Sequence, residues 1–242
     1  MEYYDGYSST SEDDDEDGYR STSEDDDEDD IWTTEDEDSR RDCRIFTVNF
    51  FGTEIITTLT SNPSVIRRWI YEILFFHRYR RHQLVVGLGV QWRPTGNFGS
   101  DDPAETLQLC VGTRCLIIQL SHSHSVPNIL RRFLVDKQIS FVGIRNYSDE
   151  KKLLRSRHQL SMSNTQNLGK IVASETGDRR HLGASMEILA SYVLDLDGVK
   201  KDPSIGRSNW NAKYLTVEQV EYACVDAHVS FLIGKKFEAW RF

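Results

Sequence analysis

The side chains with the strongest chemical character lie in the C-terminal half of the chain: Asp149, Tyr222 and Asp226. Tyr222 and Asp226 are four residues apart in a segment that predicts a helix, so both lie on one helix face. Asp149 follows Phe141–Ile144, an apolar segment that predicts a buried strand. Carboxylates supply the hard oxygen ligands that Mg²⁺ requires, and a phenol can donate a hydrogen bond. The sequence therefore offers candidates for a polar site, provided that the fold brings the three together.

Histidine and cysteine offer weaker candidates. His122 and His124 alternate in a Ser-His-Ser-His segment and could chelate a metal ion, but we expect a solvated loop there. His228 lies in the last predicted helix, and we expect it at the surface or facing a partner. Cys110 and Cys115 could face each other across a hairpin, but no second pair of metal-ligating residues accompanies them. We therefore expect neither a zinc site nor structural disulfides.

The elements that must position these residues follow from hydrophobic periodicity and turn residues. Order is predicted to begin near Arg44 with a hairpin around Phe51-Gly52, after which Asn62 and Pro63 begin a helix. The next three apolar segments predict a meander of strands: Leu84–Trp92, Thr106–Val111 and Cys115–Leu120. A helix, a buried strand that we expect to be parallel, and further helices follow: Val126–Val135, Ser140–Ile144, Asp149–Arg157, Ala184–Leu194 and a last helix from Thr216 to about Trp240.

This order predicts an α/β fold in which a mixed sheet is flanked by helices. Three meandering strands followed by a helix and a parallel strand suit a ribonuclease-H-like sheet. The same order would also suit other α/β folds, so the order of elements alone does not decide between them.

The N-terminal region differs from the rest in charge. Residues 1–38 carry 19 acidic residues and one basic residue, about −18, whereas the other 204 residues carry 19 acidic and 28 basic residues, about +9. Gly6–Asp17 and Gly18–Asp29 are near-identical acidic repeats. Such a segment cannot bury apolar surface and repels itself, so we expect residues 1–42 to be a disordered tail before a domain of residues 43–242. The tail could be merely solubilising, or it could compete with nucleic acid for the basic domain.

Four motifs carry a family resemblance: Val85–Pro94, Thr106–Cys110, Phe141–Asp149 followed by Lys152-Leu153, and Tyr222–Ala227. In these motifs the sequence resembles the 3′–5′ exonuclease domain of the Werner syndrome-like family, in its plant branch. It is also similar to the plant RISC-interacting clearing exoribonucleases, a closely related group. The resemblance extends over about residues 44–242.

The resemblance implies a two-metal phosphodiester hydrolase, which holds Mg²⁺ or Mn²⁺ with four acidic residues and orients the attacking water with a tyrosine. Asp149, Tyr222 and Asp226 match the family's catalytic residues, and Asp149 and Asp226 match metal ligands. The first motif departs from the pattern, because the family's Asp-x-Glu is replaced by Gly89 and Gln91. Gly89 stands at the position that bridges both metals, whereas Gln91 keeps an oxygen without charge. Alternate strand residues share a face, so both changes fall on one side.

We therefore favour a nucleic-acid-binding protein of this family whose catalysis is weak or lost, a pseudoenzyme. Removing the bridging ligand should cost several kcal/mol of transition-state stabilisation. One alternative is an active metal-dependent 3′–5′ exoribonuclease or exonuclease with a rebuilt metal site, in which Asp101, Asp102 or Glu105 supplies a carboxylate. Another is an interaction protein whose acidic tail engages basic partners.

The net positive charge of the domain predicts nucleic-acid binding, with an ordinary, mildly basic surface as the alternative, and the resemblance implies single-stranded RNA or DNA as partner. Trp210 is expected to pack the last helix, with base stacking as the alternative. The resemblance implies a homo-oligomer, a hexamer, or assembly with active relatives. No signal peptide or membrane span is visible, so we expect an intracellular protein, nuclear or cytoplasmic. The basic clusters could contact phosphate or form solvated faces: Arg78, Arg80, Arg81, His82, Arg179, Arg180, Lys200 and Lys201.

Overall fold

A computed structural model describes residues 31–35, 43–93 and 102–242. The strands are β1 (Ile31–Glu35), β2 (Cys43–Phe50), β3 (Thr53–Thr60), β4 (Val85–Gln91), β5 (Thr106–Val111), β6 (Arg114–Gln119), β7 (Ser140–Gly143) and β8 (Thr165–Asn167). The α-helices are α1 (Pro63–Phe76), α2 (Asn128–Leu134), α3 (Asp149–Arg155), α4 (Leu168–Thr176), α5 (Met186–Leu194), α6 (Pro203–Gly206) and α7 (Val217–Lys236). Short 3₁₀ turns occupy Arg81–Gln83, Arg179–Gly183 and Ala239–Arg241.

The strands form one mixed sheet in the order β1-β2-β3-β6-β5-β4-β7-β8. The predicted hairpin and the predicted meander are confirmed, since β2–β3, β4–β5 and β5–β6 each pair antiparallel. The predicted parallel strand is also confirmed, because β7 pairs parallel with β4. The hairpin joins the meander at its far side, through a parallel pair of β3 with β6. The fold class is therefore the predicted mixed α/β sheet flanked by helices.

Local sequence explains where these elements begin and turn. Phe51 and Gly52 both have positive φ, 48° and 76°, as the tight turn of a two-residue hairpin requires. The Asn62 side chain accepts a hydrogen bond from the Ser64 N–H at 2.8 Å and caps α1. Thr216 and Gln219 form the predicted capping box at the start of α7.

Strand β1 corrects one boundary predicted from composition. Ile31–Glu35 pairs antiparallel with β2, with Ile31 opposite Phe50, although these five residues fall inside the segment of residues 1–42 that we expected to be disordered. The β-forming sequence Ile-Trp-Thr-Thr follows the acidic run directly and can add to the edge of a sheet. The acidic repeats themselves lie outside the described residues.

Helix α7 is the element that organises the site. It packs across one face of the sheet with α4 and α5, while α1, α2 and α3 cover the other face, so each face has its own apolar core. A Cβ atom on Gly87 of β4 would lie 1.9 Å from the Ala227 carbonyl oxygen of α7. Glycine at this position is therefore required for the close approach of α7 to β4. In the described part of the chain, no helix combines the length and apolar character that crossing a bilayer requires.

Candidate active site

The five residues that the family resemblance identifies lie around one cavity. Gly89 and Gln91 of β4, Asp149 at the start of α3, and Tyr222 and Asp226 of α7 all line a cleft of about 350 Å³. The cleft opens where β4 ends, between that strand and α7. As predicted, Gly89 and Gln91 lie on one face of β4, and Tyr222 and Asp226 lie on the face of α7 opposite them.

Gly89 leaves a space that a neighbouring strand fills. Gly89 pairs directly with Gln108 of β5, and a Cβ atom on Gly89 would lie 2.6 Å from the Gln108 side-chain oxygen. Gln108 is fully buried, and its amide donates to the Thr106 hydroxyl at 2.6 Å. Its Oε1 has no hydrogen-bond partner in the described structure. A neutral amide oxygen therefore stands beside the position from which the family's bridging carboxylate would extend.

Gln91 faces α7 as a donor. Its Nε2 donates to Asp226 Oδ2 at 3.3 Å, and the residue is 6% exposed. A glutamate at this position would present a second negative charge to Asp226, whereas the Gln91 amide donates a hydrogen bond to that carboxylate. Gln91 therefore forms a hydrogen bond with Asp226 where the glutamate that the resemblance implies would form a repulsive pair.

Lys201 places a cation at the centre of the site. Its Nζ lies 2.9 Å from Asp226 Oδ1 and 4.3 Å from the centroid of the Tyr222 ring. Burial lowers the pKa of Lys201, but the Asp226 carboxylate and Tyr222 outweigh this, and the net pKa is raised. The ammonium group therefore remains charged and is held by a carboxylate and an aromatic face. The sequence singled out Lys201 only as one of several basic residues.

Asp149 occupies a less favourable environment for charge. Burial raises its pKa to about 7, and the negative charge of Asp226 acts in the same direction. Lys152 and Lys201 counteract part of this shift. Asp149 is therefore partly protonated near neutral pH, whereas Asp226 forms the ion pair with Lys201.

Tyr222 combines packing with exposure to the cleft. Burial raises the pKa of its hydroxyl above the usual value, so the phenol stays protonated near neutral pH. The Trp210 ring lies 6.0 Å from it, centroid to centroid, and is completely buried, with its indole N–H donating to the Gly206 carbonyl. Trp210 thus packs against α7, as predicted, and its burial excludes the alternative of base stacking.

The donor set does not fit a pair of divalent cations. Both oxygens of Asp226 already accept hydrogen bonds, from Lys201 and from the Gln91 amide, and Gly89 has no side chain to offer. Glu187 also lines the cleft. Even so, among residues 31–35, 43–93 and 102–242 no three His, Cys, Asp or Glu side chains are arranged to hold a metal ion. A metal would therefore have to displace the Lys201 ammonium first.

Two of the three acids proposed as substitutes, Asp102 and Glu105, do not line the cleft in the described structure. Asp102 and Glu105 are absent from its described lining, and Asp102 is buried, with 6% exposure. The Glu105 backbone N–H donates a hydrogen bond to the Gln91 carbonyl oxygen at 2.9 Å and so extends the pairing of β4 with β5. Asp101 lies outside the described residues.

The histidine predictions have mixed outcomes. His124 is exposed, as expected of a solvated loop, and His122 contacts the Asn211 carbonyl oxygen at 3.2 Å. The prediction for His228 was wrong: it is 2% exposed, because α7 presents this position to β5 and β6 rather than to solvent. Its Nδ1 lies 3.1 Å from the Gly112 carbonyl oxygen, and burial lowers its pKa to about 4.

Comparison with known proteins places this arrangement among nucleases. A sequence model described as 3′–5′ exonuclease matches residues 76–239, more than half of the chain. A 3′–5′ exonuclease of Arabidopsis thaliana is 26% identical over 200 residues, which are 81% of this chain and 68% of that protein. The mouse bifunctional 3′–5′ exonuclease/ATP-dependent helicase WRN is 30% identical over 158 residues, 63% of this chain and 11% of that protein.

Other relatives extend beyond the aligned region. A protein of Acanthamoeba polyphaga mimivirus described as a 3′–5′ exonuclease is 28% identical over 196 residues. This chain spans about half of that relative's length, 47%. Among solved structures, Escherichia coli RNase D superposes with a TM-score of 0.59 at 18% identity, over 75% of this chain and 44% of that chain. Brucella melitensis NrnC bound to pGG superposes with a TM-score of 0.51 at 19% identity, over 66% of this chain and 74% of that chain. These two likenesses bear on the fold alone.

Proposed function

The chain belongs to the 3′–5′ exonuclease family, and on this premise we propose that it binds single-stranded nucleic acid while hydrolysing it weakly or not at all. The family acts on phosphodiesters with Mg²⁺ or Mn²⁺, and the positions that hold those ions in the family correspond here to Gly89, Gln91, Asp149 and Asp226, of which only the two aspartates are carboxylates. In this proposal the chain keeps the family's cleft but has only part of the family's set of metal ligands.

The observation that carries the proposal is the ion pair between Lys201 and Asp226. An ammonium 2.9 Å from Oδ1 supplies one positive charge where the family uses divalent cations. A Mg²⁺ ion would have to compete with a tethered cation for a carboxylate whose other oxygen accepts a hydrogen bond from Gln91. Since Mg²⁺ gives up its water reluctantly, this competition favours the lysine.

The same cation suits binding of nucleic acid. Lys201 keeps its positive charge in a cleft from which two family acids are missing, so the cleft repels a phosphodiester less than a site with four carboxylates would. Tyr222 retains its hydroxyl at the same cleft. The arrangement can therefore hold a phosphate group without the metal ions that would activate water to attack it.

Finer assignments rest on the resemblance in the sequence. We propose that the chain falls in the plant Werner-like branch, near the small-RNA clearing exoribonucleases, and that it forms a homo-oligomer or assembles with active relatives inside the cell. The Arabidopsis relative, of which the chain spans 68%, supports the branch. Light scattering of the purified chain, alone and mixed with an active relative, tests the assembly.

A nuclease assay with a 5′-labelled single strand of RNA or DNA tests the central proposal. With Mg²⁺ or Mn²⁺, we expect no shortening from the 3′ end beyond that of the Asp149→Ala and Asp226→Ala variants. In parallel, Lys201→Met should strengthen Mn²⁺ binding measured by calorimetry, whereas Lys201→Arg, which keeps the cation, should not. Processive shortening that both alanine variants abolish would overturn the proposal and favour an active enzyme with a rebuilt metal site.

A further inference from the structure

A second cavity, of about 390 Å³, lies outside the candidate active site. It is enclosed by the start of β2, the end of β3, the N-terminus of α1, the end of β6 and the segment before α7. Its walls combine polar, apolar and basic side chains, and neither the family resemblance nor the proposed function gives it a role. The residues that line it are Cys43, Arg44, Leu59, Thr60, Ser61, Asn62, Pro63, Gln119, His122, His124, Lys213 and Tyr214.

The charge of this cavity is one-sided. Arg44, His122, His124 and Lys213 line it, and none of the described residues that line it is acidic. Helix α1, 14 residues long, points its N-terminus at the cavity and carries no acidic residue in its first turn. The partial positive charge of the helix end therefore adds to that of the side chains. An anion is the ligand that this lining complements.

An exposed aromatic side chain adds a second kind of contact. Tyr214 is 63% exposed at the cavity, and the Lys213 ammonium lies 5.3 Å from the centroid of its ring. The backbone of this segment is fixed, because the Gln119 amide donates to the Ala212 and Lys213 carbonyl oxygens at 3.1 and 3.3 Å. An exposed aromatic ring on a fixed backbone segment beside cations is the combination that binds a base and its phosphate together.

The sheet places the second cavity close to the first. Gln91 at the candidate active site pairs through Glu105 and Thr106 with β5, and Thr106 pairs with Gln119 at the second cavity. Two strand spacings of about 4.8 Å separate Gln91 from Gln119, or about 10 Å. At a rise of about 3.4 Å per nucleotide in a stacked strand, this is about three nucleotides. A strand with its end in the cleft could therefore reach the second cavity, which a dinucleotide could not.

We propose that this cavity is a second subsite for single-stranded nucleic acid, in which the basic residues hold a phosphate and Tyr214 stacks on a base. The inference rests on the proposed function, because it extends the strand whose 3′ end enters the candidate active site. It adds a determinant of affinity that depends on the length of the strand and not on catalysis.

Fluorescence anisotropy with the full chain tests the subsite. The double variant Lys213→Ala/Tyr214→Ala removes one cation and one exposed ring from the cavity. The matched control, Arg241→Ala/Phe242→Ala, removes one cation and one exposed ring at the end of the chain, where the Arg241 guanidinium lies 5.8 Å from the centroid of the Phe242 ring and Phe242 is 52% exposed. Each protein is titrated with labelled decanucleotides of RNA and of DNA, and dinucleotide binding is measured by competition. Circular dichroism verifies that each variant is folded.

The cavity variant should bind decanucleotides roughly ten-fold more weakly, since loss of one stacked base alone costs about that factor. Its affinity for the dinucleotide and the behaviour of the control should match the unmodified chain. Unchanged decanucleotide affinity, or an equal loss in the control, would overturn the subsite and leave the proposed function standing. If the unmodified chain binds neither decanucleotide, the subsite and the proposed function both fail.

Discussion

Introducing into β4 the two acids that the family resemblance implies tests whether catalysis depends on them, and the structure predicts that two substitutions are not enough. Gly89→Asp with Gln91→Glu recreates the family motif in sequence. However, the Gln108 side chain occupies the space beside Gly89, with its oxygen 2.6 Å from where the new Cβ would lie. A contact below 3.0 Å forces the Gln108 amide to move, and because Gln108 is completely buried, the movement disturbs its hydrogen bond to the Thr106 hydroxyl. We predict that Gln108→Ala must accompany the restoration.

The expected magnitudes follow from the Gln108 hydrogen bond. Moving the buried amide away from the Thr106 hydroxyl costs about 1–3 kcal/mol, which lowers the melting temperature of a domain of this size by about 2–12 °C. Adding Gln108→Ala should recover most of that loss, less about 1 kcal/mol for the hydrogen bond to the Thr106 hydroxyl. The two added negative charges favour a divalent cation over the single charge of Lys201, and a restored bridging ligand contributes several kcal/mol to the transition state, so hydrolysis should rise roughly a hundred-fold or more.

The unmodified chain, the double variant and the triple variant with Gln108→Ala are compared by thermal unfolding and by a Mg²⁺-dependent 3′–5′ exonuclease assay. The matched control replaces the new aspartate by asparagine, which keeps its shape and removes its charge. We expect the triple variant alone to combine near-native stability with hydrolysis. The reasoning is refuted if the double variant is as stable as the unmodified chain, or if the asparagine control is equally active.

Two further predictions concern stability and the acidic tail. His228 has a folded pKa of about 4 against 6.5 when unfolded, so the unfolded chain binds the proton first, and stability present above pH 6.5 is lost as the pH falls toward 4. By denaturant unfolding, the chain should lose up to about 3 kcal/mol more over this range than His228→Gln, whereas the exposed control His124→Gln should titrate like the unmodified chain; parallel curves for all three would contradict this. Deleting residues 1–30, which carry 15 acidic residues and one basic residue, should tighten oligonucleotide binding and alter its salt dependence while retaining β1. Replacing the deleted segment with a neutral linker of equal length is the control, and unchanged affinity on deletion would count against competition by the tail.

Much of the fold follows from local sequence. The hairpin at Phe51-Gly52, the caps at Asn62 and Thr216, and the meander of β4, β5 and β6 are each specified by residues close together in the chain, and each is found where predicted. Strand β8 and helix α4 were missed. Thr165–Asn167 is a short polar segment that becomes a strand only by pairing with β7, a contact that periodicity does not reveal.

The sequence by itself identified the family, and it predicted which three residues match the family's motifs and which two depart from them, because motif residues are read directly from their spacing along a strand or a helix. Tertiary structure alone decided what surrounds Gly89 and Gln91. Gln108 and Lys201 are distant in sequence from Gly89 and Asp226, and only the pairing of β4 with β5 and the approach of the segment before α6 bring them there. The same holds for His228, whose burial depends on which face of α7 meets the sheet. Electrostatic neutralisation acts through space, so no pattern of neighbouring residues could have predicted the Lys201–Asp226 pair.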